Sequence, residues 1–242
     1  MIIRLLLLAF LTTVLAGCAT SSTNNTDSRS ASVDPYEGFN RRVYGFNSGV
    51  DKYFLKPVTK TYRFITPDFV EKGISNFFSN LLEIRNIVNA LLQGKGGKAI
   101  DYSGRFVFNS TIGLGGLFDV ASPMGIEKTE GEDFGQTLGA WGVGSGPYIV
   151  LPFLGPSNFR DGVSLPVDIY ADPVTYLESS HARNGLTFLE IVDTRAQLLE
   201  TEKLLSGDRY VFIRDAYLQR RDYLVNDGEV EDTFGTSSDD DF

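Results

Sequence analysis

The chain has 242 residues, a formal net charge of -9, one cysteine and one histidine. A protein this acidic is repelled by nucleic acid and by anionic lipid surfaces, so we expect no nucleic-acid partner. His181 has no second histidine and no free thiol to join it in a catalytic site, and we expect it to be a surface loop residue.

Enzyme motifs are absent from the sequence. It contains no G-x-S-x-G nucleophile elbow and no G-x-x-x-x-G-K-[ST] phosphate loop, and its glycine clusters do not complete a dinucleotide fingerprint. A hydrolase assembled from scattered serine, aspartate and His181 remains an alternative. We predict that the chain is not an enzyme and needs no cofactor or metal.

The N-terminus resembles a bacterial lipoprotein signal. Arg4 supplies the basic region, Leu5 to Leu15 the apolar region, and Ala16 and Gly17 precede Cys18, the only cysteine. We predict cleavage after residue 17 and lipidation of Cys18, with each buried acyl methylene contributing about 0.8 kcal/mol. The alternatives are an uncleaved helix, for which the apolar run is short of the ~20 residues of a membrane span, or an ordinary secretory signal. Ala19 rather than Asp after the cysteine favours the outer membrane, by resemblance to enterobacterial-type lipoproteins.

Composition divides the remainder into three parts. Residues 18–33 are polar and predict a flexible tether, residues 34–228 predict a single domain, and residues 229–242 predict an acidic disordered tail. Loss of the signal removes Arg4 and moves the charge from -9 to -10. A domain this acidic can touch a bilayer only through apolar side chains and the anchor at Cys18.

Helical periodicity dominates the domain and predicts an all-α fold. Apolar residues recur at spacings of three and four from Val70 to Leu91, a stripe broad enough either for a protein core or for a membrane interface. Further helices are predicted at Ile100 to Phe118, which is unusually rich in glycine, and at Phe188 to Leu205. The last predicted helix runs from Asp208, as N-cap, to Val225, and its interleaved Arg209, Arg214, Arg220, Arg221, Asp215 and Asp222 predict a solvated, charged face.

The segment from Leu138 to Gly162 fits neither helical nor strand periodicity. Gly142, Gly144 and Gly146 alternate in a flexible joint, and an apolar run bounded by prolines follows at Pro147 to Leu154. We interpret this run as a surface loop, which needs a partner, a lipid phase or the protein core to cover it.

Several specific motifs follow one another in order over Asp34 to Gly228. They are Asp34-Pro35-Tyr36-Glu37-Gly38-Phe39-Asn40-Arg41, Phe108 to Ala121, Phe134 to Gly139 with the glycine joint, Arg195-Ala196-Gln197-Leu198-Leu199, and Arg214-Asp215-Ala216-Tyr217. Together these motifs resemble those of the MlaA (VacJ) family of outer-membrane lipoproteins.

The resemblance implies a ring of helices lying in the periplasmic leaflet of the outer membrane, with a central amphipathic channel. Phospholipids mislocalised to the outer leaflet would pass through it to a soluble periplasmic lipid-binding protein of the MlaC type, beside a trimeric porin. By position, Gly142, Gly144 and Gly146 would be the hinge of a gating loop, and Phe39, Asn40 and Arg41 would lie on the segment that closes the ring. A structural envelope lipoprotein that moves no lipid is the alternative.

Overall fold

Helices account for most of the residues that the structure, a computed structural model, describes: 34–204 and 207–229. The predicted signal, the Cys18 anchor, the tether, and the acidic tail beyond Glu229 lie outside these residues. The first half of the domain consists of α1 (Glu37–Val50), a π-helical turn (Asp51–Leu55), α2 (Lys56–Ile65), α3 (Asp68–Leu92), α4 (Gly96–Thr111) and a 3-10 turn (Ser122–Met124).

The second half contains a β-hairpin between helices. Its elements are α5 (Phe134–Ala140), β1 (Tyr148–Leu151), β2 (Gly155–Asn158), α6 (Phe159–Ala171), a 3-10 turn (Pro173–Tyr176), α7 (Ser180–Gln197), a further 3-10 turn (Thr201–Leu204) and α8 (Arg209–Val225). The helical fold class is confirmed. Within residues 34–204 and 207–229, no helix is both long enough and apolar enough to cross a membrane.

The predicted apolar loop at Pro147 to Leu154 is wrong, because residues 148–151 form strand β1. β1 pairs antiparallel with β2, and Val150 lies opposite Pro156. The amide of Val150 donates to the Asn40 side chain at 2.9 Å and so points away from β2. A proline can occupy position 156 because no ladder hydrogen bond is required from it there.

The predicted glycine-rich helix also ends early, at Thr111 rather than near Phe118. Residues 112–118 form turns, and Gly116 has a φ of +93°. A Cβ on Gly113 would lie 2.2 Å from the carbonyl oxygen of Phe118, so the turn is too tight for any other residue. The glycines thus serve close backbone packing in a turn rather than in a helix.

The last two helices differ from the prediction in extent and in burial. α7 begins at Ser180 and ends at Gln197, so the exposed His181 lies on a helix rather than in a loop. Asp208 caps α8 as predicted, accepting from the amide of Tyr210 at 3.0 Å. The predicted solvated face is wrong for Arg214, which is buried, and for Arg221, which pairs with two carboxylates.

Candidate functional site

Asn40 joins the start of the domain to the β-hairpin. Its side chain is fully buried, donates to the Tyr148 carbonyl at 3.1 Å and accepts from the Val150 amide at 2.9 Å. The same amide group donates to Asp34 at 2.8 Å. One asparagine therefore satisfies two backbone hydrogen-bonding groups on the edge of β1 that does not face β2, although β1 is more than a hundred residues away in the sequence. It also bonds to the buried carboxylate of Asp34.

Asp34 also binds the C-terminal helix α8. The Tyr210 hydroxyl donates to this carboxylate, and the guanidinium of Arg214 lies 3.7 Å from it. Burial, followed by the neighbouring Asp34, raises the pKa of Tyr210, so the phenol stays protonated and remains a donor. Asp34 thus connects α1, the hairpin and α8 at a single buried point.

Arg41 adds a second connection between α1 and α8 on the surface. Its guanidinium pairs with Glu37 at 2.6 Å and with Asp208 at 3.0 Å, and lies 4.4 Å from the ring centroid of Tyr210. Phe39, two residues before Arg41 in the sequence, has an exposed side chain. Of the three residues predicted to close a ring, Asn40 and Arg41 make long-range contacts, and Phe39 belongs to the exposed apolar surface.

The glycine joint forms an exposed bend between α5 and β1. Gly142 and Gly146 have φ values of +88° and +66°, which disfavour any side chain, whereas Gly144 does not have a positive φ. A Cβ on Gly142 or Gly144 would meet no atom within 4 Å, so neither glycine is needed for packing. Gly142 is therefore required by its backbone conformation, and Gly144 by neither constraint.

Both ends of this joint are held in place. On the α5 side, the Val143 amide donates to Leu138 at 2.9 Å, and the Trp141 indole donates to the Leu92 carbonyl of α3 at 3.1 Å. On the other side, the Arg160 amide donates to the Ser145 carbonyl at 3.1 Å. These hydrogen bonds hold the backbone on both sides of Gly144.

An ion cluster lies at the base of the joint. Arg221 of α8 pairs with Asp133, the N-cap of α5, at 2.5 Å, and with Asp161 at 2.7 Å. Asp161 also pairs with Arg160 at 3.0 Å and accepts from the Tyr217 hydroxyl at 2.6 Å. Burial opposes the ionisation of Asp133, but Arg221 outweighs it and holds the pKa of Asp133 at about 2.

These residues of α8 were not predicted as a site. Tyr210, Arg214, Tyr217 and Arg221 follow one another at spacings of four, three and four, which places them on one helix face. All four contact one of the two buried carboxylates, Asp34 and Asp161. The alternation of phenols and guanidiniums at helical spacing was the signal available in the sequence.

Polar groups also dominate the interior between α3 and α4. Glu83 pairs with Arg105 at 3.1 Å, and the same guanidinium donates to the Ile126 carbonyl at 2.7 Å and to Asp119 at 3.2 Å. Asn109 accepts from two consecutive backbone amides, those of residues 120 and 121. This arrangement gives the buried arginine the partners that a charge away from water requires.

Large apolar side chains are exposed on most of the helices. α3 buries Asn80, Glu83, Asn86 and Asn89, while Phe69 and Leu91 of the same helix are 78% and 61% exposed. Across the described residues, buried polar and charged side chains outnumber buried apolar ones. A monomer in water shows the opposite distribution, so this exposed apolar surface is of the kind that contacts a lipid phase or a protein partner.

The described residues bring no cluster of three or more histidine, cysteine, aspartate or glutamate side chains into a metal-binding arrangement. Each of the ion clusters above contains at least one arginine. The chemistry available at these positions is hydrogen bonding and charge pairing.

The chain is similar to proteins of known name in sequence and in fold. The MlaA lipoprotein family model matches residues 32–224. The intermembrane phospholipid transport system lipoprotein MlaA of Escherichia coli K12 is 41% identical over 234 residues, which cover 95% of this chain and 91% of that protein. The protein of the same name from Haemophilus influenzae is 34% identical over 235 residues, covering 93% and 92%. A solved structure from work on the structural basis for maintenance of bacterial outer membrane lipid asymmetry matches with a TM-score of 0.71 at 40% identity, covering 80% of this chain and 99% of that chain.

Proposed function

Because the chain belongs to the MlaA lipoprotein family, we propose that it removes mislocalised phospholipids from the outer leaflet of the outer membrane. It passes them through an amphipathic channel to a periplasmic carrier and so maintains the lipid asymmetry of that membrane. The relatives named above as intermembrane phospholipid transport lipoproteins support this proposal.

The observation that carries the proposal is the distribution of polarity. Apolar side chains such as Phe64, Phe69 and Ile100 are at least 73% exposed, and they would lie among lipid acyl chains. Asparagine and paired charges fill the interior instead, as at Asn80 and Glu83. Such a body would be embedded in one leaflet, with its polar groups kept away from hydrocarbon.

A group of charges between three helices supports a polar path for headgroups. Arg85 of α3 acts electrostatically on Asp168 of α6 and on Glu190 of α7. Burial raises the pKa of both carboxyls, and Arg85 partly offsets it. The Nε of Arg85 is buried and makes no hydrogen bond to the described residues, which leaves a donor for a ligand oxygen.

In this proposal, Gly142, Gly144 and Gly146 form the hinge of a gating loop, and the segment Phe39-Asn40-Arg41 closes the ring. The positive φ of Gly142 and the open space around it are compatible with a hinge. The contacts of Asn40 with β1 and of Arg41 with α8 are compatible with a closing segment.

The proposal assigns anchoring to lipidated Cys18 and places the body on the periplasmic side of the outer membrane. A trimeric porin beside it and a periplasmic lipid-binding protein of the MlaC type would be its partners, and no catalytic step is required of the chain itself. A Cys18→Ala variant should leave the outer-membrane fraction or, where apolar contacts retain it there, lose activity. Unchanged fractionation together with unchanged activity would refute the anchor.

Reconstitution tests the transfer function directly. Purified full-length protein is placed in vesicles with labelled phospholipid, and label is followed into the soluble carrier. Transfer that depends on this protein is the expected result. Transfer at the same rate without it would favour a structural envelope lipoprotein, and release of fatty acid or lysolipid would indicate a hydrolase.

A further inference from the structure

A positively charged cleft of about 510 Å³ lies beside α2, away from the glycine joint. Its walls are the residues of α2, the segment that follows α7, and the first residue of α8. The lining consists of Lys56, Lys60, Arg63, Phe64, Leu199, Glu200, Glu202 and Arg209. Four cations thus face two carboxylates, in a chain whose formal net charge is -9.

The two carboxylates are already occupied by cations. Glu202 accepts from Lys56 at 2.8 Å, pairs with Arg209 at 3.4 Å, and also accepts from Arg195, which is outside the cleft, at 2.6 Å. Hydrogen bonds from Lys56 and Arg195 lower the pKa of Glu202 to about 2, so it stays ionised and keeps these cations in place. The excess positive charge in the cleft therefore remains available to an external anion.

Lys60 is the cation that this arrangement leaves open. It is exposed, and it forms no ion pair with any residue in the described ranges. Arg63, one turn further along α2, bonds to Glu200 at only 3.4 Å and is 3.9 Å from Glu71. An ammonium group and a weakly held guanidinium fork together offer donors that match the oxygens of a phosphate.

Exposed apolar side chains lie directly beside these donors in the sequence. Phe64 is 89% exposed and lines the cleft, and Ile65 and Phe69 beyond it are 69% and 78% exposed. A soluble phosphate or an acidic peptide gains nothing from these side chains. A lipid presents an anionic headgroup next to acyl chains, and it can use both features at once.

We infer that the cleft formed by Lys60, Arg63 and Phe64 binds the phosphate of an anionic phospholipid headgroup. The inference rests on the proposed function in that phospholipid is the ligand, and it adds the headgroup class that the chain selects. The phosphate lies between the Lys60 ammonium and the Arg63 guanidinium, and the first acyl carbons contact Phe64. The cleft counteracts the repulsion between anionic lipid and the acidic domain at this one position.

The test compares two single-charge variants of the full-length protein in a neutral detergent. Lys60→Gln removes the open cation, and Lys72→Gln removes another exposed lysine that does not line the cleft. Dihexanoylphosphatidylglycerol, dihexanoylphosphatidylcholine and inorganic phosphate are titrated separately by calorimetry. We expect phosphatidylglycerol to bind the wild type and to bind Lys60→Gln about fivefold more weakly, with Lys72→Gln unchanged.

Three results would overturn the inference. They are equal binding by the two variants, equal binding of phosphatidylcholine and phosphatidylglycerol to the wild type, and binding of inorganic phosphate as tight as that of the lipid. The reconstituted transfer assay on the same preparations separates the two proposals. A wild type that transfers no phospholipid refutes the proposed function, whereas transfer by a wild type whose binding is indifferent to Lys60 refutes only the cleft.

Discussion

Replacement of Asn40 by aspartate tests the junction between α1, β1 and α8. The change is nearly isosteric, but it removes the donor that bonds to Asp34 at 2.8 Å and to the Tyr148 carbonyl at 3.1 Å. It keeps the acceptor for the Val150 amide. It also places a second carboxylate next to the buried carboxylate of Asp34, and two like charges this close repel each other when both are ionised.

The magnitude follows from these two losses. A buried carbonyl left without its donor costs about 1–3 kcal/mol. The carboxylate pair costs about 5 kcal/mol at 3 Å with an effective dielectric of about 20, until uptake of a proton relieves it. We expect Asn40→Asp to lower the free energy of unfolding by at least about 3 kcal/mol at pH 7, which corresponds to a fall in Tm of about 6–12 °C.

Asn47 lies about two helical turns after Asn40 in α1 and provides a matched control. It makes the same kind of bond to the hairpin, donating to the Leu151 carbonyl at 2.9 Å and accepting from the Phe153 amide at 2.8 Å. No carboxylate of residues 34–204 or 207–229 is bonded to it. Asn47→Asp should therefore cost only about 1 kcal/mol.

The pH dependence separates the two variants further. In folded Asn40→Asp, one carboxyl of the new pair has a pKa raised above its unfolded value of about 4. Its penalty is thus complete above that raised pKa and shrinks as the pH falls toward about 4, because the protonated carboxyl restores a donor. The measurement is thermal unfolding by circular dichroism in detergent at pH 7 and pH 5. Equal losses for the two variants at both pH values would refute the role assigned to Asn40.

Three further changes test other parts of the structure. Gly135→Ala would place a Cβ 2.5 Å from a carboxylate oxygen of the ion cluster, so thermal unfolding should show a loss of about 2 kcal/mol or more, whereas Gly185→Ala, with no atom within 4 Å, should be neutral or stabilising. Gly142→Ala should raise outer-leaflet phospholipid in cells because it strains a φ of +88° by about 1–2 kcal/mol, and Gly144→Ala should not; equal effects would refute the backbone requirement. The pKa of Asp133 is lowered to about 2, so its ionised form contributes stability that is complete above pH ~4 and lost as the pH falls through about 2. The free energy of unfolding of Asp133→Asn should therefore change less between pH 4 and pH 2 than that of the wild type.

Helix positions followed from the sequence wherever periodicity and capping agreed. The stripe from Val70 to Leu91 gave α3, and Asp208 gave the start of α8. The hairpin did not follow, because Tyr148 to Leu151 is stabilised as a strand by Asn40, which is more than a hundred residues away. Local patterns carry no information about such a partner.

The sequence also did not predict which face of each helix is buried. The apolar stripe of α3 favoured a protein core over a membrane interface, but the structure exposes Phe69 and Leu91 while it buries Asn80 and Glu83. Arg214 had the pattern of a surface residue, yet it is buried and lies 3.7 Å from Asp34, at the other end of the domain. The hydrophobicity of one segment does not reveal which polar side chains of distant segments will meet in this way.

The polar interior and the exposed apolar side chains together have a consequence for the solubility of the folded domain. In most proteins, folding is also what prevents aggregation, since it removes apolar side chains from water. Here the folded domain still presents Phe64, Phe69 and Ile100 to solvent. Folding alone therefore does not remove these side chains from water, and the folded domain keeps an exposed apolar surface that favours aggregation wherever nothing covers it.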